Sequence, residues 1–253
     1  MHSKLETTDF SLNALEIQTR TTLAAAYRIL AQRQMDDLTY THLSARVQGE
    51  DAYFIYPFGM LFEEVTASSL LKVSLTGEIL EGEEFQYNQT GYVIHGSIYQ
   101  ARPDINAVFH LHTTAGVAVS AMDCGLLPLS QFSLHFYNRM GYHGYDSLAL
   151  DYRHQGHKLA QDLGAHKALI LRNHGTLTCG ATVPEAFLYM HFLEQSCRVQ
   201  CAAMASGQAL ATLPSDLCEK AAKDLRAFEP AFGERDWMAL IRKLEKTDPS
   251  YKG

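Results

Sequence analysis

Ala107-Val-Phe-His-Leu-His112, bounded by Asn106 and by the pair Thr113-Thr114, reads as a short buried strand that ends on two histidines. Residues two apart on a strand point to the same face, so His110 and His112 share one side while Leu111 packs into the opposite layer. Downstream, the threonine hydroxyls can cap a helix from Ala115 to about Met122. Upstream, Thr90–Ala101 carries a helical pattern of Val93, Ile94 and Ile98, closed by Pro103. A second β-forming run, Ala168-Leu-Ile-Leu171, leads into Asn173-His174-Gly175 and a further short run through Cys179. A third histidine therefore falls at another strand end.

Farther out, Asn13-Ala-Leu-Glu16 has the form of a capping box and predicts a helix from there to near Gln32. Leu43–Val47 and Ala52–Tyr56 flank Gln48-Gly49-Glu50-Asp51 as a hairpin with a four-residue loop. Thr66 is expected to cap a short helix over Ala67–Leu71, followed by a strand pair around Thr76-Gly77. Beyond Gly180 the pattern is helical over Val183–Ala205, Asp216–Phe228 and Arg235–Lys246, with Pro214 and Pro230 as separators. No linker, repeat or low-complexity stretch interrupts the 253 residues, so the expectation is one α/β domain spanning 1–253.

The net charge of −7 and the absence of a basic run exclude nucleic acid as a default partner. Five cysteines, an odd number with no CxxC pair, suggest neither a disulfide framework nor a thiolate zinc site. With no apolar signal segment at the start and no long apolar run elsewhere, no membrane partner and a cytoplasmic location are expected.

The chemistry is carried by imidazoles. His110 and His112 can converge on one ion, and His174 lies in a polar break between two apolar strands, where a core histidine has little reason to be. Three neutral imidazoles suit a divalent ion, zinc first and iron, manganese or cobalt next, with a coordination position left open for water or substrate. Glu63 and Glu64 have the look of a carboxylate pair, but they fit better as helix-start charge.

The segment N-Q-T-G-Y-V-I-H-G-S-I-Y-Q-A-R-P-D-I-N-A-V-F-H-L-H-T-T-A-G-V-A-V-S-A, residues 88–121, together with Leu171-Arg-Asn-His-Gly175, PFGMLFEEVTASSL and CGLLPLS, resembles the class II aldolase/adducin family. The resemblance covers about 24–205 and leaves a helical extension, 206–253, without a counterpart. It implies a three-layer α/β/α fold with a central, mainly antiparallel sheet and the metal at the carboxyl ends of two strands. It also implies zinc or a related ion on His110, His112 and His174, and a homotetramer with its small-molecule sites at subunit interfaces.

The departures bear on substrate. Where the aldolases carry an acid/base glutamate, this chain has Gly91, and the tyrosine that protonates the leaving group aligns with Phe132. The Gly-Asn-x-Ser phosphate pattern has become Thr41-His42-Leu43-Ser44, and the Ser or Thr of a later turn has become Phe58. Ser44 and Thr90 are the polar groups retained. A substrate less polar than a sugar phosphate is expected, contacted by His42, Ser44, Phe58, Thr90, Gly91, Phe132 and Tyr137, with His143 as candidate acid/base. The expected function is a divalent-metal-dependent lyase on a small hydroxy-carbonyl compound. A non-haem Fe(II) oxygenase or decarboxylase of aryl 2-oxo acids and a non-catalytic adducin-like scaffold are the competing readings.

Overall fold

A computed structural model describes residues 2–228 and 231–253. Helix α1 (His2–Gln32) is followed by strands β1 (His42–Arg46), β2 (Ala52–Ile55), β3 (Leu71–Ser74) and β4 (Ile79–Glu81), then α2 (Gln89–Ala101), β5 (Ala107–Leu111) and α3 (Thr114–Ser120). Strand β6 (Met140–His143), helix α4 (His157–Leu163), β7 (Ala168–Leu171) and β8 (Gly175–Gly180) complete the sheet, and α5 (Val183–Ala205), α6 (Ser215–Phe228) and α7 (Glu234–Thr247) close the chain. The eight strands form one sheet in the order β4-β3-β2-β1-β5-β8-β7-β6. Every neighbouring pair is antiparallel except β6 with β7.

Helices cover both faces, with α1 and α5 on one side and α2 and α4 on the other, giving the three layers. The alternation expected of a strand settles which side chain meets which layer. On β1, Leu43 faces α1, where its backbone meets the Tyr27 hydroxyl, while His42 and Ser44 face α2. On β8, Thr176 and Thr178 face α5 through Met190 and the Ala186 carbonyl. Leu177, on the other face, pairs with His110.

Register then brings the histidines to one end of the sheet. β5 and β7 both run antiparallel to β8 and therefore point the same way, and β6 runs parallel to β7. The carboxyl ends of β5, β6 and β7 thus lie together with the start of β1, where His42 pairs directly with His110.

Two local expectations change, and one strand forms where none was expected. The chain is already helical at Asn13, so α1 starts well before the expected capping box. Residues 67–71 form a turn and the beginning of β3 rather than a capped helix; Thr66 closes that turn by exchanging hydrogen bonds with Ser69. The polar stretch around Gly141-Tyr-His-Gly144 supplies a strand, because its pairing with the apolar β7 outweighs its own weak propensity. Pro230, one of the expected separators, lies outside the described residues.

Tyr27 ties α1 to the strand that opens the site. Its buried hydroxyl donates to the Leu43 carbonyl at 2.5 Å and accepts from the Leu43 N–H at 2.9 Å. Tyr27→Phe strands both backbone groups in the core, and urea denaturation is expected to show a loss of about 1–3 kcal/mol. A second prediction concerns His135, whose ring stacks on Phe192 of α5 at 4.5 Å and 9°. Burial, followed by the charge of Arg139, lowers its pKa to about 4. It therefore folds neutral, and its contribution, complete above the unfolded value of about 6.5, is lost as pH falls from there towards 4. His135→Phe should flatten the dependence of urea midpoint on pH across that window.

Candidate metal centre

His110 and His112 leave the end of β5 with their Nε2 atoms 3.0 Å apart. Each ring is fixed from behind: His110 Nδ1 donates to the Thr176 carbonyl at 3.1 Å and His112 Nδ1 donates to Asp37 Oδ2 at 3.0 Å. A neutral imidazole carries one proton, and with Nδ1 donating in each ring, the two facing Nε2 atoms are the nitrogens that the neutral form offers to an ion. Two nitrogens on a tetrahedral zinc ion, each at about 2.0–2.1 Å, lie about 3.3 Å from each other, close to the spacing found.

His174 completes the group, its ring centroid 4.8 Å from those of both His110 and His112. One ligand atom from each of the three lies within 4.8 Å of the others. Asn173 reaches this placement with φ of 56°, a left-handed conformation that asparagine tolerates better than most residues. The residue after His174 must be glycine, because a Cβ on Gly175 would come 2.5 Å from the Leu111 carbonyl and 3.0 Å from the His112 ring. After His112, Thr113 caps α3 and binds the buried Glu194 of α5, which pins the turn. Burial first, and then the neighbouring His112 and His143, lowers the His174 pKa to about 4, and burial likewise holds His110 well below the ordinary range. His110 and His174 are thus kept in the deprotonated form that a metal requires.

His143 stands nearby at the end of β6. Its Nδ1 donates to Asp162 Oδ2 on α4 at 2.7 Å, and the ring lines a narrow cleft shared with His174, Val93, Ile94 and Tyr145. His42 is also adjacent, its ring centroid 5.1 Å from that of His110. A Cβ on Gly91 would touch the His42 ring at 3.4 Å, so a long side chain at residue 91 would compete with that imidazole for the same space.

The other expected contacts are distributed differently. The Ser44 hydroxyl is buried against His95 and Tyr99, and the Thr90 hydroxyl donates to Asn88 Oδ1 at 2.7 Å within the α2 cap. Phe58 lies exposed near Tyr40, their rings 6.4 Å apart. Phe132 stacks on Phe192, and Tyr137 lines a surface cavity with Arg139 and Arg226, so neither is brought to the histidines within one chain. Arg172 turns away, bonding the Met122 carbonyl and covering the Tyr142 ring. Sequence reasoning missed Asp37, Asp162 and His95. Asp37, the second of an Asp36-Asp37 pair, and Asp162 lie in unremarkable surroundings, and His95 sits mid-helix among apolar residues, where only its polarity marked it. A roomier cavity, about 640 Å³, lies at the opposite ends of the strands between α1 and α7, and none of the histidines lines it.

Residues 21–201 match the family model described as the class II aldolase and adducin N-terminal domain. A Pseudomonas aeruginosa protein, described only provisionally as an aldolase class 2 protein, is 41% identical over all of this chain and 98% of its own length. Alpha-adducin of Rattus norvegicus is 44% identical over 74% of this chain, which corresponds to 26% of that longer protein. Among solved structures, the L-fuculose 1-phosphate aldolase of Glaciozyma antarctica superposes with a TM-score of 0.85 at 29% identity, covering 96% of this chain and 94% of its own. With a family model spanning most of its length and relatives this similar, the chain belongs to the class II aldolase/adducin family.

Proposed function

We propose that the protein is a divalent-metal-dependent lyase that makes or breaks a carbon–carbon bond in a small hydroxy-carbonyl compound other than a typical sugar phosphate. The observation that carries this reading is the pair of bare Nε2 atoms 3.0 Å apart, each with its Nδ1 already committed. A divalent ion on His110, His112 and His174, zinc foremost, supplies Lewis-acid polarisation of neighbouring hydroxyl and carbonyl oxygens.

The chain's own groups do the rest. His143 has one nitrogen held by Asp162, leaving Nε2 to take or deliver a proton, with the carboxylate fixing the tautomer and the orientation of the ring. The loss of free hydroxyls at Ser44 and Thr90 to internal hydrogen bonds argues against a phosphate cradle. Phe132, Tyr137 and the aromatic cluster around Phe192 are the surface through which a neighbouring copy in a tetramer would complete the site. The scaffold reading draws on the likeness to alpha-adducin, and metal content separates the two.

Elemental analysis of the purified protein is expected to give one ion per chain, and alanine at His110, His112 or His174 should abolish it. A metal-free wild type after zinc loading would overturn the lyase reading and leave the scaffold. Asp37→Ala is expected to weaken zinc affinity by about 10–100-fold in chelator competition, because it frees the His112 ring. Screened on hydroxy-ketones and aldehydes, His143→Gln should lower kcat by about 10²–10⁴-fold with metal content unchanged. Equal activity in that variant would remove His143 from the mechanism.

A further inference from the structure

Behind the histidine pocket lies a buried chain of hydrogen bonds. His42 Nδ1 is 2.7 Å from His95 Nε2, His95 Nδ1 contacts the Ser44 hydroxyl, and Ser44 Oγ is 2.8 Å from the Tyr99 hydroxyl. All four residues are at most 2% exposed. They join β1 to two successive turns of α2, and they reach the pocket only through the remaining nitrogen of His42.

Counting protons gives this chain a direction. Among the described residues, the Tyr99 hydroxyl has one hydrogen-bonding side chain to donate to, Ser44. Tyr99 therefore donates to Ser44. The Ser44 hydroxyl, having accepted, donates to His95 Nδ1. His95 then carries its proton on Nε2 and donates to His42 Nδ1, which leaves the His42 proton on Nε2. Reversing the order would leave the Tyr99 proton with no acceptor in the core, a cost of about 1–3 kcal/mol. Burial lowers the His95 pKa to about 3, so the ring in the middle of the chain carries a single proton and passes the same direction on to His42.

Resting on the metal-pocket reading above, we infer that His42 is a substrate-binding group that presents a fixed, neutral Nε2–H donor beside the three-histidine cluster, hydrogen-bonding a substrate oxygen there. It is neither a fourth ligand nor a base, since both roles need a bare Nε2. A donor of this kind serves best where negative charge builds on an oxygen, because it is oriented in advance and loses no hydration when the charge appears. It fills, from β1, the space that a side chain on residue 91 would otherwise enter.

Histidine-selective ¹⁵N labelling, with His42 assigned by its disappearance in His42→Gln, reads the tautomer directly. His42 is expected to show Nε2–H and unprotonated Nδ1 at neutral pH, before and after zinc is added. Tyr99→Phe should relax it into a mixture of tautomers. An Nδ1–H pattern in the wild type, or an Nε2 resonance that moves to a metal-bound position with zinc, overturns the inference. Acetohydroxamate, whose two adjacent oxygens resemble the substrate's, provides the second arm on zinc-loaded protein. His42→Gln, which keeps an N–H at a similar reach, should bind it within about threefold of wild type, and His42→Leu about tenfold or more weaker, at unchanged zinc content. Equal binding by His42→Leu also overturns the inference. Failure of the wild type to hold zinc defeats the lyase reading instead, and the tautomer measurement then still decides the state of His42.

Discussion

Two unprotonated nitrogens facing each other across 3.0 Å are an unfavourable arrangement on their own, and much of the molecule serves to enforce it. The Thr176 carbonyl comes from the neighbouring strand in register, Asp37 from the segment that follows α1, and Gly175 keeps the two strands close enough for the third imidazole to fold in. None of these groups needs to touch an ion. Their joint effect is to commit both Nδ1 atoms and orient both rings, leaving the facing Nε2 atoms as the positions that could hold a cation.

Much of the centre was legible because strand periodicity is exact. An HxH at the end of a β-forming run can only put both rings on one face, and the polar Asn173-His174-Gly175 break between apolar runs marked the third. The sheet and the covering helices were legible for the same reason. What could not be read were contacts set by tertiary register: Asp37 reaches His112 across 75 positions, and His42 meets His110 because two strands align. His95 is instructive. Its spacing within α2 gives it no partner, and it gains a role only when β1 is laid against that helix.

The substrate question looks different once the hydroxyls are followed. Ser44 and Thr90 survive from a phosphate-binding pattern in the sequence, but the first is an internal link and the second a helix cap. Val93, Ile94 and the exposed Tyr145, which line the cleft with His143 and His174, are suited to contacts with carbon rather than with an anion.

The single parallel pair in the sheet has a consequence of its own. Had β6 joined β7 as a hairpin, its opposite end would have reached the histidines. Parallel pairing demands a crossover, and α4 both makes that crossover and carries the carboxylate that grips His143. The stretch from Met140 to Leu163 thus supplies both the imidazole of His143 and the carboxylate that holds it from one margin of the sheet, while the other three imidazoles sit at the end of β5 and in the turn between β7 and β8.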